Sequence, residues 1–261
     1  MTEKLTSVQN PKIKQLLALQ EKSRLRRETG LFVVEGLREL QHCADGGFKI
    51  DSVFFCPDII AAAALPPVGN ARIFEVSKEV YGKIALRGST EGVVAEVCSV
   101  SAKLSDLKLK KNPLFIVLES VEKPGNLGAV LRSADAAGAD AVIVCDPLTD
   151  IFNPNLIRAS IGAVFTVPTI ACSSEDAIDF FKKNNIRILT AQLQDSSLYY
   201  DTDMKRGTAI VMGTESTGLT DLWRDAADAH IRIPMLGELD SLNVSVSAAI
   251  LLYEAVRQRN A

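Results

Sequence analysis

The chain has few of the side chains that usually build metal sites and disulfide frameworks. It contains two histidines, His42 and His230, and five widely spaced cysteines with no CxxC pair. Zinc sites need clustered Cys and His ligands, and a disulfide framework usually needs an even number of cysteines. We therefore expect neither a structural metal nor a disulfide framework, and most of the thiols should fill space in the core.

Long apolar runs are also missing from the sequence. No stretch approaches the roughly 20 apolar residues of a membrane span, and the opening MTEKLTSVQNPKIK lacks the apolar part of a secretory signal. We expect a cytoplasmic protein with no membrane association. With 261 residues, of which 47% are hydrophobic and 23% charged, the chain can bury a sizeable core and is long enough for two domains.

Overall positive charge is absent as well, since the net charge is -3 and the pI is near 5.6. This argues weakly against a protein that coats nucleic acid through bulk charge. Residues 1–30 are a local exception, with seven Lys or Arg against three Glu and a net charge of +4. Asn10 and Pro11 predict the start of a helix there. Composition alone favours a solvated amphipathic helix, and an RNA-contacting helix stays open as the alternative.

Apolar strands alternate with helices along the chain, and one polar segment divides this alternation. Residues 1–98 predict a small α/β unit with strands at LFVVEG, DSVFFC, ARIFEV and EGVVAEV. Residues 99–113 are rich in lysine, end in proline and suit a linker. Residues 114–261 alternate again, with strands at LFIVLES, DAVIVCD, VFTVPTI, IRILTAQ, TAIVMG and HIRIPM. Such alternation predicts a largely parallel sheet covered by helices on both faces.

Three segments of the second half place polar side chains just after predicted strands. Residues 119–140 lead from a strand into a helix that carries Arg132. Residues 210–219, IVMGTESTGL, place Glu215 beyond a buried strand, and residues 233–254, IPMLGELDSLNVSVSAAILLYE, place a polar turn before an apolar helix. Open α/β sheets bind ligands at the carboxyl ends of their strands. Each segment alone is also compatible with an ordinary turn or helix cap.

The glycines of the first segment do not fit the GxGxxG fingerprint, which disfavours an enzyme that uses a nicotinamide dinucleotide. Together, the segments resemble the three motifs of the SpoU/TrmH branch of the SPOUT RNA methyltransferases. These motifs are an asparagine and glycine followed by an arginine, then GxExxGL, then IPMxGxxxSLNVSVxxxILLYE. The resemblance covers residues 114–259, and NPKIKQLLALQ…RRETGLFVVEG is similar to the family's substrate-binding extension.

The resemblance implies methyl transfer from S-adenosylmethionine to a ribose 2′-hydroxyl of structured RNA. Ribosomal and transfer RNA are both open as substrates, with ribosomal RNA slightly favoured. The resemblance also implies a trefoil-knotted α/β catalytic domain that works as a homodimer, preceded by an RNA-binding α/β domain similar in shape to small ribosomal proteins. Hydrophobic periodicity would not have predicted a knot, because knots are rare exceptions to the rules of chain connection.

The resemblance also assigns site residues, position by position. The catalytic set is Arg132, Asn126, Glu215, Ser241 and Asn243. The cofactor-binding set consists of the backbone groups of Gly213, Ile233 and Leu242 and the apolar side chains of Met212 and Val244. The predicted RNA-binding set joins Arg132 to basic residues chosen for the local positive charge of residues 1–30, namely Lys12, Lys14, Arg24, Arg26 and Arg27.

These residue types suit methyl transfer to a hydroxyl group. A ribose hydroxyl is a poor nucleophile at neutral pH, so it needs a proton acceptor and a positive charge where the oxyanion develops. The family assigns the base role to the arginine, although a guanidinium with a pKa above about 12 is better suited to positioning and charge stabilisation. Direct attack on a sulfonium methyl group needs no metal. The alternative is an RNA-binding assembly factor that keeps the fold without transfer activity.

Overall fold

Two units, each with its own sheet, make up the protein. The structure is a computed structural model that describes residues 3–86 and 91–260. One unit consists of Met1–Val100 with Phe152–Thr166, and the other of Ser101–Ile151 with Val167–Ala261. The domain boundaries 1–98, 99–113 and 114–261 stay predictions.

The N-terminal unit alternates strands with short helices. Its first elements are β1 (Glu3–Leu5), α1 (Pro11–Glu21), α2 (Ser23–Thr29), β2 (Leu31–Glu35), α3 (Leu37–Asp45), β3 (Ile50–Phe55), β4 (Arg72–Val76), α4 (Lys78–Ile84) and β5 (Val93–Cys98). The strand order is β1-β4-β3-β5-β2, in which β5 is antiparallel to β2 and β3 while the other pairs are parallel. Strands β2 to β5 were predicted from the sequence, and the short β1 was not.

The predicted start of α1 is confirmed. The Asn10 side-chain oxygen accepts a hydrogen bond from the Lys12 N–H at 2.9 Å, and Pro11 occupies the first turn, where its missing N–H costs nothing. The apolar stripe of the helix is then fully buried against the sheet through Ile13, Leu16 and Leu19. The cap and the stripe together explain why these residues form a helix at this place.

The C-terminal unit is built on a seven-stranded sheet. The remaining elements in chain order are β6 (Leu114–Glu119), α5 (Pro124–Ala136), β7 (Ala141–Cys145), α6 (Pro154–Ser160), α7 (Ala163–Thr166), β8 (Thr169–Cys172), α8 (Ser174–Lys183), β9 (Arg187–Ala191), β10 (Ser197–Leu198), β11 (Thr208–Met212), α9 (Asp221–Ala226), β12 (Ala229–Arg232) and α10 (Val244–Arg259). The sheet has the order β10-β12-β9-β11-β6-β7-β8, and every neighbouring pair is parallel. The predicted parallel sheet is confirmed.

Continuous apolar runs in β6, β7 and β11 follow from burial of this sheet on both faces. Phe115 and Val117 of β6 pack with α8 and α9, whereas Ile116 and Leu118 point to the opposite face and are equally buried. Helix α10 contacts β6, β11 and α5. Among the described residues, no helix is long and apolar enough to cross a membrane, and no group of His, Cys, Asp or Glu could hold a metal ion. The trefoil knot stays a prediction.

One strand prediction was wrong. Residues 164–170, VFTVPTI, were predicted as a single strand, but α7 ends at Thr166 and β8 begins only at Thr169. Helix α7 belongs to the N-terminal unit, and its Phe165 ring packs there against Phe32 and Phe48, with centroid distances of 5.9 and 5.2 Å. Tertiary packing of this ring overrides the strand propensity of a run rich in Val, Phe and Thr.

The segment predicted as a linker, residues 99–113, is in contact with the C-terminal unit. Leu104 and Leu107 pack against the core of that unit, and Lys110 Nζ forms an ion pair with Asp140 at 2.9 Å. Residues 101–113 accordingly group with the C-terminal unit.

A carboxylate is buried inside the N-terminal unit. Glu96 on β5 is 3% exposed; Ser52 donates a hydrogen bond to Oε2 at 2.7 Å, while Oε1 has no partner among the described residues. Burial raises the pKa of Glu96, an effect that the Ser52 hydrogen bond offsets in part. Asp51 raises this pKa further, and Arg72 and Lys12 lower it.

Replacing Glu96 by Gln should make the N-terminal unit more stable than wild type at about pH 8 and not at about pH 4. The pKa is raised in the folded state, so ionisation weakens the fold as the pH rises above the ordinary value of a glutamate. The free energy of urea unfolding, measured at both pH values, checks this expectation. Glu21→Gln, at an exposed position, is the control. A stability difference that does not grow with pH would contradict the prediction.

Candidate functional site

The carboxyl ends of β6, β11 and β12 bring the three predicted segments to one edge of the parallel sheet. Strands β6 and β11 are neighbours, and only β9 separates β11 from β12. The chain leaves β6 in the direction of β7 and β8 and then returns to β9 on the other side of β11. This reversal makes the edge a topological switch point, where open α/β sheets bind ligands.

The carboxylate of Glu215 connects the three segments through hydrogen bonds. Its Oε1 accepts from Asn243 Nδ2 at 2.7 Å and from Asn126 Nδ2 at 3.2 Å, and its Oε2 lies 3.3 Å from Lys123 Nζ. The backbone N–H of Val244 also donates to Oε1, and this bond together with Lys123 holds the pKa of Glu215 below its ordinary value. We call Glu215, Asn126, Asn243 and Lys123 the Glu215 cluster.

Asn243 has two roles in the structure. Its Oδ1 caps α10 by accepting hydrogen bonds from the N–H and the hydroxyl of Ser245, at 3.0 and 2.6 Å. Its Nδ2 donates to Glu215 and also to Asn126 Oδ1, at 3.2 Å. The ordinary helix cap and the predicted site residue are therefore the same side chain, and the cap fixes the amide that faces Glu215.

The loop after β11 closes tightly on itself. Thr214 and Gly218 exchange backbone hydrogen bonds of 3.3 and 3.1 Å, and the Thr217 N–H donates to the Thr214 hydroxyl at 3.0 Å. Gly218 adopts a φ of 69°, which glycine accepts without strain. Gly213 lies so close to Gly218 that a Cβ atom at position 213 would overlap the Gly218 carbonyl. Both glycines of the GxExxG motif are therefore required by the shape of the loop.

Glu119, which sequence reasoning did not assign to the site, anchors the end of this loop. Its carboxylate is buried and accepts hydrogen bonds from the Thr220 N–H at 2.9 Å and from the Thr220 hydroxyl at 2.6 Å. Thr220 directly follows the loop and precedes α9. The sequence does contain a signal, because Glu119 is the single charged residue in the otherwise apolar β6.

A cavity of about 380 Å³ opens beside the loop. All five residues of the predicted cofactor-binding set line it, namely Met212, Gly213, Ile233, Leu242 and Val244. Glu215 and Ser241 of the catalytic set line it as well, together with Gln192 and Arg224, which sequence reasoning missed. The structure thus gathers residues from β9, β11, β12 and the loops that follow them around one space.

Arg132 lies outside the Glu215 cluster. It is exposed on α5 and forms no hydrogen bond or ion pair within the described part of the chain. It follows Asn126 by six positions, which on a helix corresponds to a rotation of about 120° and a rise of about 9 Å. Ser241 is also exposed, and its hydroxyl donates to Asp240 at 3.1 Å.

Four of the five predicted RNA-binding residues of the N-terminal unit reach solvent. Lys14 and Arg27 are exposed, Arg24 forms an exposed ion pair with Glu28, and Lys12 is half-buried over the ring of Phe74.

Arg26 is different, because it is only 5% exposed and donates to the carbonyls of Leu19 and Gln20 at 2.6 and 3.2 Å. It satisfies the free carbonyls at the end of α1. Its guanidinium is therefore occupied within the fold and is almost fully shielded from solvent.

Comparison with protein families identifies the chain. The model described as the SpoU rRNA Methylase family matches residues 113–253, more than half of the chain. The chain belongs to the SpoU rRNA methylase family. The model of an MRM3-like substrate binding domain matches residues 10–95.

Relatives of this SpoU methylase agree with the family assignment. The 23S rRNA (guanosine-2′-O-)-methyltransferase RlmB of Blochmanniella floridana is 35% identical over 198 residues, which cover 73% of this chain and 78% of that protein. The crystal structure of an AdoMet-bound rRNA methyltransferase from Sinorhizobium meliloti is similar with a TM-score of 0.90 and 32% identity over 98% of each chain. A crystal structure of an RNA 2′-O ribose methyltransferase gives a TM-score of 0.85 and 36% identity over 99% of this chain and 100% of that one. The predicted S-adenosylmethionine-dependent RNA 2′-O-methyltransferase is confirmed.

The cavity of this SpoU methylase fits S-adenosylmethionine. Its volume of about 380 Å³ lies within the range of small-molecule sites, about 300 to 1,000 Å³. Met212, Ile233 and Val244 give it apolar walls. Gln192 contributes a buried side-chain oxygen that has no partner among the described residues and can accept a hydrogen bond from a ligand.

Proposed function

We propose that this methyltransferase acts on ribosomal RNA of the large subunit. The relative from Blochmanniella floridana is named for 23S rRNA, and the structure from Sinorhizobium meliloti is named for rRNA. The choice of substrate rests on these names, whereas the methyl-transfer activity rests on the Glu215 cluster, which joins the three motifs beside a cavity lined by the predicted cofactor residues. The predicted cytoplasmic location is part of this proposal.

Mapping of ribose methylation in cells with and without the protein tests the substrate. One 2′-O-methyl group should disappear from large-subunit ribosomal RNA when the protein is removed, and the purified protein should restore it in vitro. Loss of a methyl group from transfer RNA only would reject the proposed substrate. Unchanged maps, combined with no binding of S-adenosylmethionine in calorimetry, would favour an RNA-binding assembly factor without transfer activity.

The predicted cofactor-binding residues contribute apolar surface and backbone hydrogen-bonding groups. S-adenosylmethionine, when bound, provides an electrophilic methyl group on sulfur. Met212 and Val244 would pack against its adenine, and backbone groups of Gly213, Ile233 and Leu242 would bind its polar atoms. The closed loop that follows β11 holds Gly213 in place, since Thr214 and Gly218 bond to each other. Positioning of the two reactants is then the main contribution of the protein.

Arg132 would stabilise negative charge on the ribose oxygen as the hydroxyl gives up its proton to water or to a phosphate of the RNA. The guanidinium is exposed and has no partner in the described chain, so it is available to RNA. Its high pKa makes it a better source of positive charge than a proton acceptor. The Glu215 cluster would hold the start of α5 beside the start of α10, because Asn126 and Asn243 both donate to Glu215.

A second copy of the chain is the proposed partner of α10. Two large apolar side chains of this helix are exposed, Val246 at 47% and Tyr253 at 51%, and the preceding loop exposes Leu236 at 96% and Leu239 at 76%. Exposed apolar groups of this kind favour association. Sedimentation should give twice the chain mass of 28.2 kDa. A particle with the mass of one chain would reject the homodimer.

The N-terminal unit should bind RNA through its exposed basic side chains. Replacing both Lys14 and Arg27 by Ala should weaken RNA binding about tenfold and reduce the slope of log affinity against log salt by about one for each lost phosphate contact. Fluorescence anisotropy at several salt concentrations checks this result. Lys182→Ala, at an exposed position on α8, is the control. Unchanged RNA affinity in the double variant would indicate that α1 and α2 form a solvated surface that does not bind RNA.

A further inference from the structure

Two polar atoms beside the cavity have no hydrogen-bond partner in the described part of the chain. One is a donor, Arg224 Nε, and the other is an acceptor, Gln192 Oε1; both atoms are buried, and both residues line the cavity. Unpaired buried polar atoms are rare in folded proteins and call for an explanation. A ligand that brings one acceptor and one donor into the cavity would pair both of them.

The guanidinium of Arg224 forms weak interactions with the rest of the described chain. Its ion pair joins Nη1 to Asp221 Oδ1 at 3.5 Å, and the Asp221 side chain is 89% exposed. Such a long pair with an exposed carboxylate contributes little. The Nη2 atom lies beside Gly218, where a Cβ atom would be 3.9 Å away. Arg224 therefore lies next to the closed loop and has hydrogen-bonding capacity to spare.

The other charged residues that line the cavity are Arg232, Glu215 and Asp240, and each has a hydrogen-bond partner. Arg232 donates to the backbone carbonyl of Ser196. Glu215 accepts hydrogen bonds from the amides of Asn126 and Asn243. The Asp240 carboxylate accepts from the Ser241 hydroxyl at 3.1 Å, and its negative charge does not suit an anionic group. Arg224 is consequently the cation of this cavity that is best placed to receive an anionic group.

S-adenosylmethionine carries one anionic group, the carboxylate of its methionine moiety. We propose that Arg224 binds this carboxylate, an inference that rests on the cofactor occupying the cavity beside the Glu215 cluster. A guanidinium matches a carboxylate with two parallel hydrogen bonds, which is stronger and more specific than a single contact. Gln192 accepts a hydrogen bond from one of the donors of the cofactor, which are the adenine amino group, the ribose hydroxyls and the ammonium group.

Two ligands that differ in the amino-acid moiety test the proposal by calorimetry. S-adenosylhomocysteine keeps the carboxylate, and 5′-methylthioadenosine lacks the whole amino-acid part while keeping adenine, ribose and sulfur. Arg224→Gln should lower the affinity for S-adenosylhomocysteine at least about tenfold and leave the affinity for 5′-methylthioadenosine unchanged. Arg224→Lys should retain part of the affinity, because it keeps the charge without the planar pair of donors.

Asp221→Asn is the matched control. It removes the ion-pair partner and keeps the guanidinium, so the affinity for S-adenosylhomocysteine should be equal to or higher than that of wild type. Equal losses for both ligands in Arg224→Gln would indicate general damage to the cavity and would overturn the proposal. Unchanged affinity for S-adenosylhomocysteine would also overturn it, and a simultaneous loss of RNA affinity would assign Arg224 to the substrate.

The same experiment separates this inference from the cofactor site itself. If wild type binds neither ligand, the assignment of the cofactor to this cavity fails. If wild type binds both and Arg224→Gln binds both equally well, the cofactor site stands and only the role of Arg224 is rejected.

Discussion

Replacing Arg132 by Ala should lower the rate of methyl transfer about 10²- to 10³-fold and leave both the fold and the affinity for S-adenosylmethionine unchanged. The ribose hydroxyl gains negative charge as it attacks, and removal of the positive charge proposed to stabilise it raises the energy of that state. The fold should be unaffected, because Arg132 is exposed and forms no hydrogen bond or ion pair within the described chain. Transfer of labelled methyl groups to RNA under single-turnover conditions measures this effect.

Two further variants test why the rate of methyl transfer falls when Arg132 is replaced. Arg132→Lys keeps the positive charge, so a partial recovery of rate would favour charge stabilisation over a role that needs the guanidinium itself. Arg206→Ala is a control, since the Arg206 side chain is 80% exposed and forms a long ion pair of 3.6 Å with Asp203. A rate equal to wild type in Arg132→Ala would remove this residue from the proposed mechanism.

Replacing Gly213 by Ala should abolish cofactor binding and destabilise the C-terminal unit by about 1 to 3 kcal/mol. The added Cβ would overlap the Gly218 carbonyl and lie 2.6 Å from the Leu219 nitrogen, closer than real Cβ contacts allow. These neighbours are backbone atoms that cannot rotate away, so the loop itself must open. Calorimetry with S-adenosylmethionine and urea unfolding measure the two effects.

Gly237→Ala is the matched control for this prediction. Gly237 lies in the segment between β12 and α10, and a Cβ atom there would meet nothing within 4 Å. Its replacement should leave binding and stability close to wild type. If Gly213→Ala binds the cofactor as well as Gly237→Ala does, the closed loop is not required for binding.

Sequence patterns were sufficient for most of the strands. The strands β6, β7 and β11 appear as uninterrupted apolar runs because helices cover both faces of the sheet. The patterns failed at α7, which was predicted as a strand, and at α9 and β10, which were not predicted. These elements are short, with two to six residues each, and local propensity is too weak over such lengths to outweigh tertiary packing.

The resemblance found the residues of the three motifs but could not show how they contact one another. Glu215 was assigned to the site, yet its bonds to Asn126 and Asn243 depend on the ends of β6 and β11 and the start of α10. Arg26 was grouped with the exposed basic residues, because nothing in the order of residues reveals that it caps α1 from within the fold.

The sequence by itself determined the family, the cofactor and the reaction, because these depend on residue types at fixed spacings within three short segments. Only the tertiary structure decided which side chains share the cavity. Gln192 and Arg224 follow different strands and carry no local signal, and they meet there because parallel strands end at the same edge of a sheet. Strand order and register decide which residues from distant parts of the chain come into contact. The spacing of residues within a motif carries no information about either.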